Sequence, residues 1–435
     1  MDESLRHRLR KLGVVKGLAG LKVGPNPDRG RRPESTGQPG WAPRPESGTP
    51  SQSVLPGAEK SVDEGVFWLD LRHYDRAYTH GRYALSGLDD VPETALDLLG
   101  VPDLGDRPAF LDTETTGLAG GAGTLAFLVG VGIWTGEGFD LHFIFMRDPD
   151  EEPAALAYLT EILSGATGLV TFNGRGFDVP LLETRYVMNR MPPTPLALPH
   201  LDLLTVARRL WRDHLPSRRL GELERHILDV MRTEQDLDSA LIPWMYRQYL
   251  ATGDVQDMVR VLYHNEIDVL SLASLLVHAA RMVEMPAEMA LASAEWAGIG
   301  RVYDRAGREN EAFQAWQVAL SGEIDELDAD CAVRLWREMG FRFKRRKAWP
   351  EALAIWDTWI DRLPEDVAPL VEKAKYYEWT ARDLGEALAC TEVARARAAA
   401  HPKGMRRFGI LGELEHREER LKRKLARTEA SAGGD

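Results

Sequence analysis

The stretch AFLDTETTG, residues 109–117, runs from apolar residues straight into an Asp-x-Glu pair and then a turn. Alternate side chains of an extended strand share a face, so Asp112 and Glu114 project together. Two carboxylates on one face offer the oxygen donors that a hard divalent cation takes. Alone, such a pair is more often a solvated turn, and its weight comes from what lies on either side.

Downstream, TLAFLVGVGIW (124–134) and FDLHFIF (139–145) read as two further strands, the first apolar on both faces as a central strand is. Pro153 opens a helix running to about Leu163, GLVTF (168–172) is a buried strand, and a helix covers about Phe177 to Met188. HLDLL (200–204) makes a fifth strand, and later helices lead to one holding Tyr263 through His278. Strands alternating with helices predict an α/β domain built on a mixed five-stranded sheet, a three-strand meander followed by parallel additions.

Two more acids sit in similar settings. Asp178 lies in FNGRGFDVPLL, at a strand-to-helix junction. Asp268 lies in YHNEIDVLSLASLL, on a helix whose Ile267, Leu270 and Leu275 read as buried. An acid beside such a face is costly unless it is paired or bound to metal.

Taken in order, Asp112-Thr113-Glu114, then Asn173 to Asp178, then His264-x-x-x-Asp268 resemble the three exonuclease motifs of the DEDD (DnaQ-like) superfamily. The finer run FLDTETTGLAGGAGT, LVTFNGRGFDVPLL, HLDLL, SRRLGELERHIL and HNEIDVLSL resembles the YprB-type RNase H-like family over residues 107–282. The resemblance implies an RNase H-like fold and a metal-dependent 3′→5′ exonuclease. Asp112, Glu114, Asp178 and Asp268 would hold two Mg²⁺ or Mn²⁺ ions about 4 Å apart around the scissile phosphate. Thr115, Thr116, Gly117 and Leu118 would line the terminal-nucleotide pocket, with Asn173, Phe177 and Tyr263 also toward substrate. Asp202 reads as a helix cap or as a support behind the ligands.

The general base departs from the superfamily's patterns. One branch places His with four residues before the last Asp, the other Tyr with three; here Tyr263 has the His spacing and His264 the Tyr spacing. Neighbours on a helix point about 100° apart, so only one faces the metals. His264 is favoured, because neutral imidazole is the better base near pH 7.

Around this domain the chain changes character. In residues 1–62, Leu5, Leu9 and Leu12 suggest a short basic helix, and Gly24 to Gly57 is a Pro/Gly/Ser-rich linker expected to be disordered. Residues 63–106 form a lead-in to the nuclease domain of 107–285. From 290 to 428 the pattern is helical, with EAFQAW (311–316), EALAIW (351–356) and EALACT (386–391) repeating. GRVYDRAGRENEAFQAWQVAL (300–320) resembles a tetratricopeptide repeat, which implies a protein partner for this region.

Composition narrows the classes. Net charge is −13, but residues 1–60 carry 11 Lys+Arg against 6 Asp+Glu, so the remainder is still more acidic. That argues against a general nucleic-acid coat, not against a carboxylate metal site. Arg208, Arg209, Arg212, Arg218 and Arg219 form a local basic cluster that is either a solvated face or a contact for substrate backbone. Cys331 and Cys390 are too few for a disulfide framework or a thiolate zinc site. With no membrane-spanning run and no signal peptide read at the N-terminus, the expected location is cytoplasmic. GLAGGAG lacks the Gly-Lys-Ser/Thr of a phosphate-binding loop. The expected partner is a nucleic acid, DNA or RNA; the alternatives are a structure-specific endonuclease and a non-catalytic scaffold.

Overall fold

The computed structural model describes residues 54–101, 103–117, 123–233, 236–322, 327–400 and 405–432. The expected basic helix, nearly all of the linker and Leu118 lie outside the described residues.

The central sheet grows from the most apolar part of the chain. Strand β6 (Ala126–Trp134) is buried at all nine positions, as a strand covered on both faces requires. It pairs antiparallel with β5 (Pro108–Thr115) on one side and β7 (Gly138–Phe145) on the other. Beyond β5, the short strands β8 (Gly168–Thr171) and β9 (His200–Asp202) add in parallel. The meander followed by parallel additions follows the sequence reading.

The sheet has seven strands, not the expected five, in the order β1-β2-β7-β6-β5-β8-β9, and a separate two-stranded ladder pairs β3 (Thr79–His80) with β4 (Tyr83–Ala84). The two extra strands are a hairpin of β1 (Ala58–Val62) and β2 (Gly65–Asp75), antiparallel to each other and docked on β7. They fall in residues read as linker and lead-in. Their apolar signal is thin: Phe67 and Leu69 are buried, but Asp70, Arg72, His73 and Asp75 interrupt the pattern. An edge hairpin exposes one face and so carries polar residues that resemble a loop.

Helices cover the sheet and aim residues at the end of β5. Helix α1 (Glu152–Ser164) begins with the buried Glu152, which accepts from Arg185 Nε at 2.6 Å and Nη2 at 2.5 Å. That ion pair ties α1 to α2 (Asp178–Met188), whose first residue is Asp178. Asp202 starts α3 (Leu203–Leu210), its side chain accepting from Leu204 N at 3.0 Å. Helix α4 (Ile242–Thr252) precedes the 29-residue α5 (Gln256–Glu284), which packs on β5 and β6.

From Ser293 the described chain is helical. Ser293–Arg305 pairs with Glu309–Ser321, Ala329–Arg345 with Trp349–Arg362, and Ala368–Tyr376 with Leu384–Ala400, before the last helix Met405–Ala432. The Glu-Ala repeat marks the second helix of each pair, and Ala312, Ala352 and Ala387 are all fully buried. Arg301 and Arg334 both meet Asp213, at 2.6 and 2.7 Å, fastening this array to the α/β domain. Among the described residues no helix is long and apolar enough to cross a membrane.

Candidate active site

Strand β5 presents Asp112 and Glu114 on one face, and α5 lies across that face. Glu114, His264 and Asp268 each bring a ligand atom within 4.8 Å of the others. His264 Nε2 stands 3.5 Å from Asp268 Oδ2 and 3.9 Å from Glu114 Oε1. Asp112 is held beside them by Asn265, whose Nδ2 donates to Asp112 Oδ2 at 2.8 Å. Asp178 enters from the start of α2 and accepts from the Thr113 hydroxyl.

Close approach is possible because the strand facing Asp112 has no side chain there. Gly130 pairs with Asp112 across β5–β6. A Cβ at Gly130 would lie 1.9 Å from Asn265 Oδ1. The fully buried Asn265 therefore owes its position to that glycine.

The electrostatics are those of crowded anions. Burial, then repulsion from Asp268, Asp178 and Glu114, pushes the Asp112 carboxyl well above the usual range. Burial and the charges of Asp268 and Asp178 do the same to Glu114, against an opposing pull from Arg232. Asp178 is pushed up to about 6, first by burial, with its hydrogen bond from Thr113 acting in the other direction. Like charges gathered out of water favour the protonated forms until a cation is supplied.

One cation is built in. Arg232 bonds Glu224 through Nε at 2.5 Å and Nη2 at 2.6 Å, contacts Asp236 at 3.2 Å, and pairs with Asp268. Glu224 is only 1% exposed, in an acid-in-apolar setting between Leu223 and Ile227. Asp236 Oδ1 lies 2.7 Å from His264 Nδ1, and Ser239 Oγ lies 3.2 Å from Nε2. Arg232 Nη1 also lies 3.0 Å from His264 Nδ1, and in the tautomer whose Nδ1–H donates to Asp236 the Nε2 lone pair is on the side of Asp268 and Glu114.

The other sequence candidates are placed as follows. Tyr263, one residue before His264, turns its hydroxyl to Thr233 N at 3.3 Å. Asn173 has φ +68° at the end of β8, a left-handed conformation that Asn tolerates better than most residues. Asp202 receives Asn173 N at 2.9 Å and Arg175 N at 3.2 Å besides capping α3, so it fastens the turn leading to Asp178. Phe177 is half-buried immediately before Asp178. Thr115 donates to Gly117 O at 2.9 Å and Thr116 Oγ1 accepts from Leu125 N at 3.0 Å, bracing the loop after β5. Sequence reasoning did not single out Asn265, Arg232, Asp236, Glu224 or Gly130. Of these only Glu224 left a signal, an acid at helical spacing from Leu220, Ile227 and Leu228.

Fold and site together define an RNase H-like α/β domain with an acidic cluster at the end of strand β5. A family model described as the RNase_H superfamily (RNase_H_2) matches residues 109–280. The chain is similar to a protein of Bacillus subtilis (strain 168) described as "Uncharacterized protein YprB", at 29% identity over 339 residues, 75% of this chain and 79% of that protein. Among solved structures it is similar to the family B DNA polymerase of the hyperthermophilic archaeon Pyrobaculum calidifontis, at 12% identity and a TM-score of 0.33. That likeness covers 59% of this chain and 33% of the polymerase, so the chain spans about a third of the polymerase's length.

Proposed function

We propose that the protein is a divalent-metal-dependent nuclease hydrolysing phosphodiester bonds of single-stranded or frayed nucleic acid, acting from the 3′ end. The observation that carries this reading is the convergence of Asp112, Glu114, Asp178 and Asp268 with His264, with the first two carboxyls raised by burial and mutual repulsion. The donor set fits the cations expected of it: four carboxylates and one imidazole, without a thiolate, is the oxygen-rich set that Mg²⁺ and Mn²⁺ take. Two such ions held by these carboxylates would acidify the attacking water and neutralise the leaving 3′ oxygen.

The chain's own groups supply the rest. His264 Nε2 accepts the proton of the water, and Asp236 on Nδ1 stabilises the imidazolium that forms. Arg232 offsets part of the charge of Asp268 and Glu224, so the cluster survives folding before any cation arrives. Asn265 orients Asp112. The 3′→5′ direction and the DnaQ-like subtype rest on the resemblance of the three motifs. Residues 107–285 are taken as the catalytic unit, and the hairpins of residues 290–428, read as tetratricopeptide-like, as a docking array for a protein partner.

The test is degradation of 5′-labelled single-stranded DNA and RNA in Mg²⁺ or Mn²⁺, comparing wild type with Asp112→Ala. A ladder shortening from the 3′ end, lost with EDTA and in the variant, is the expected result. Cuts within a circular substrate would replace the exonuclease by an endonuclease on the same site. Absence of metal-dependent cleavage on every substrate would leave a scaffold.

A further inference from the structure

The basic cluster noted in the sequence divides in the folded protein. Arg209 reaches back to Leu99 O at 3.1 Å, and Arg212 lies 3.5 Å from Asp213. Arg208, Arg218 and Arg219 instead line an open groove of about 920 Å³ that ends at His264 and Asp268. Arg218 Nη1 donates to the carbonyls of Leu215 and Pro216, at 3.0 and 3.3 Å, which steadies its guanidinium without neutralising it. Among the described residues none of these three arginines has a carboxylate partner.

The groove's acids are largely engaged elsewhere. Glu224 and Asp236 belong to the Arg232 network. Glu222 sits between Arg225 at 3.7 Å and His226 at 3.4 Å, and Asp238 accepts from Ala240 N. The groove is lined by five arginines and five carboxylates, and among the described residues Arg208, Arg218 and Arg219 are the arginines of that lining without a carboxylate partner, in a protein of net charge −13. A guanidinium without a carboxylate partner keeps its charge and its donors for an anion from solution. The same groove exposes apolar surface, with Met231 71% exposed and Phe172 half-buried beside it. Cations for a backbone interleaved with flat or apolar surface for bases suit a single strand, because a duplex buries its bases.

We propose that this groove is the track for single-stranded nucleic acid leading into the cleavage site, with Arg208, Arg218 and Arg219 on backbone phosphates and Phe172 and Met231 against bases. It rests on the nuclease reading of the acidic cluster, and it adds the path by which the strand reaches the site and the side chains that hold it.

The experiment uses the full chain carrying Asp112→Asn, with and without the triple change Arg208→Ala, Arg218→Ala, Arg219→Ala. Anisotropy of a fluorescein-labelled single-stranded 12-mer is titrated in Mg²⁺ at several KCl concentrations. Each lost phosphate contact removes about 0.7 from the slope of log affinity against log salt, so three remove about 2. Affinity near 0.1 M salt falls tenfold or more, and the duplex of the same sequence binds at least tenfold more weakly than the single strand. Equal affinity and slope with and without the three arginines overturn the track, as does failure of both proteins to bind. Duplex binding as tight as the single strand overturns the strandedness. Mn²⁺-dependent hydrolysis of the mononucleotide thymidine 5′-p-nitrophenyl phosphate by the wild-type chain tests the nuclease reading separately from the track. Absence of that hydrolysis in wild type would instead refute the nuclease reading.

Discussion

Replacing Asp178 by Asn stabilises the metal-free protein above pH 6. The Asp178 carboxyl is 5% exposed and pushed up to about 6 from an ordinary value of 3.8. The folded state thus holds this proton to higher pH than the unfolded chain does, and folding loses stability as pH rises from about 4 to about 6. A shift of about two units at 1.36 kcal/mol each is about 3 kcal/mol of stability missing at pH 8. Asparagine keeps the oxygen that accepts from Thr113 and removes the buried charge. Melting followed by circular dichroism in EDTA at pH 8 should therefore show a Tm higher by roughly 5 °C, and near pH 4 the two proteins should coincide. Adding Mn²⁺ at pH 8 raises the wild-type Tm and moves that of the variant far less. A variant melting below wild type in EDTA at pH 8 would refute the reasoning, because the charge would then be contributing to stability.

Three other outcomes follow from the same geometry. Gly130→Ala places a Cβ where Asn265 Oδ1 stands, so overpacking costs about 1–3 kcal/mol and Asp112 loses its orienting bond; Tm and Mn²⁺-dependent hydrolysis fall together. Arg232→Met leaves Glu224 buried without its cation, a loss of about 3–5 kcal/mol at pH 8 that shrinks as acid protonates the carboxyl, read from Tm against pH. An unchanged Tm at pH 8 contradicts that account of Arg232. His264→Gln removes the acceptor for the water's proton and lowers single-turnover cleavage about 10²–10⁴-fold, whereas Tyr263→Phe changes it little.

What was legible in the sequence follows how local the signal is. Thr124 to Trp134 could be read as a central strand because a strand buried on both faces is apolar throughout. The hairpin of β1 and β2 was hidden because its edge position lets Asp70, Arg72 and His73 break the alternation. The four acids stood out as charges in apolar settings. Their supports did not, since Asn265 is tied to Asp112 153 residues away and Arg232 to Asp268 36 residues away. Partners of that kind have no spacing rule, and only the fold brings them together. The adjacent Tyr263 and His264 could be separated only by the helix that turns one toward Thr233 and the other toward Asp268. The five arginines of residues 208–219 had to be sorted by what each one meets.

A catalytic cation site is tested most directly by the rate of thymidine 5′-p-nitrophenyl phosphate hydrolysis as Mn²⁺ is titrated into wild type and Asp112→Asn. The wild-type rate should rise with Mn²⁺ and saturate, while the variant, missing several kcal/mol of charge stabilisation, should be slower by about 10³-fold or more. A wild type without Mn²⁺-dependent hydrolysis, or a variant as active as wild type, would contradict a catalytic cation site at the end of β5.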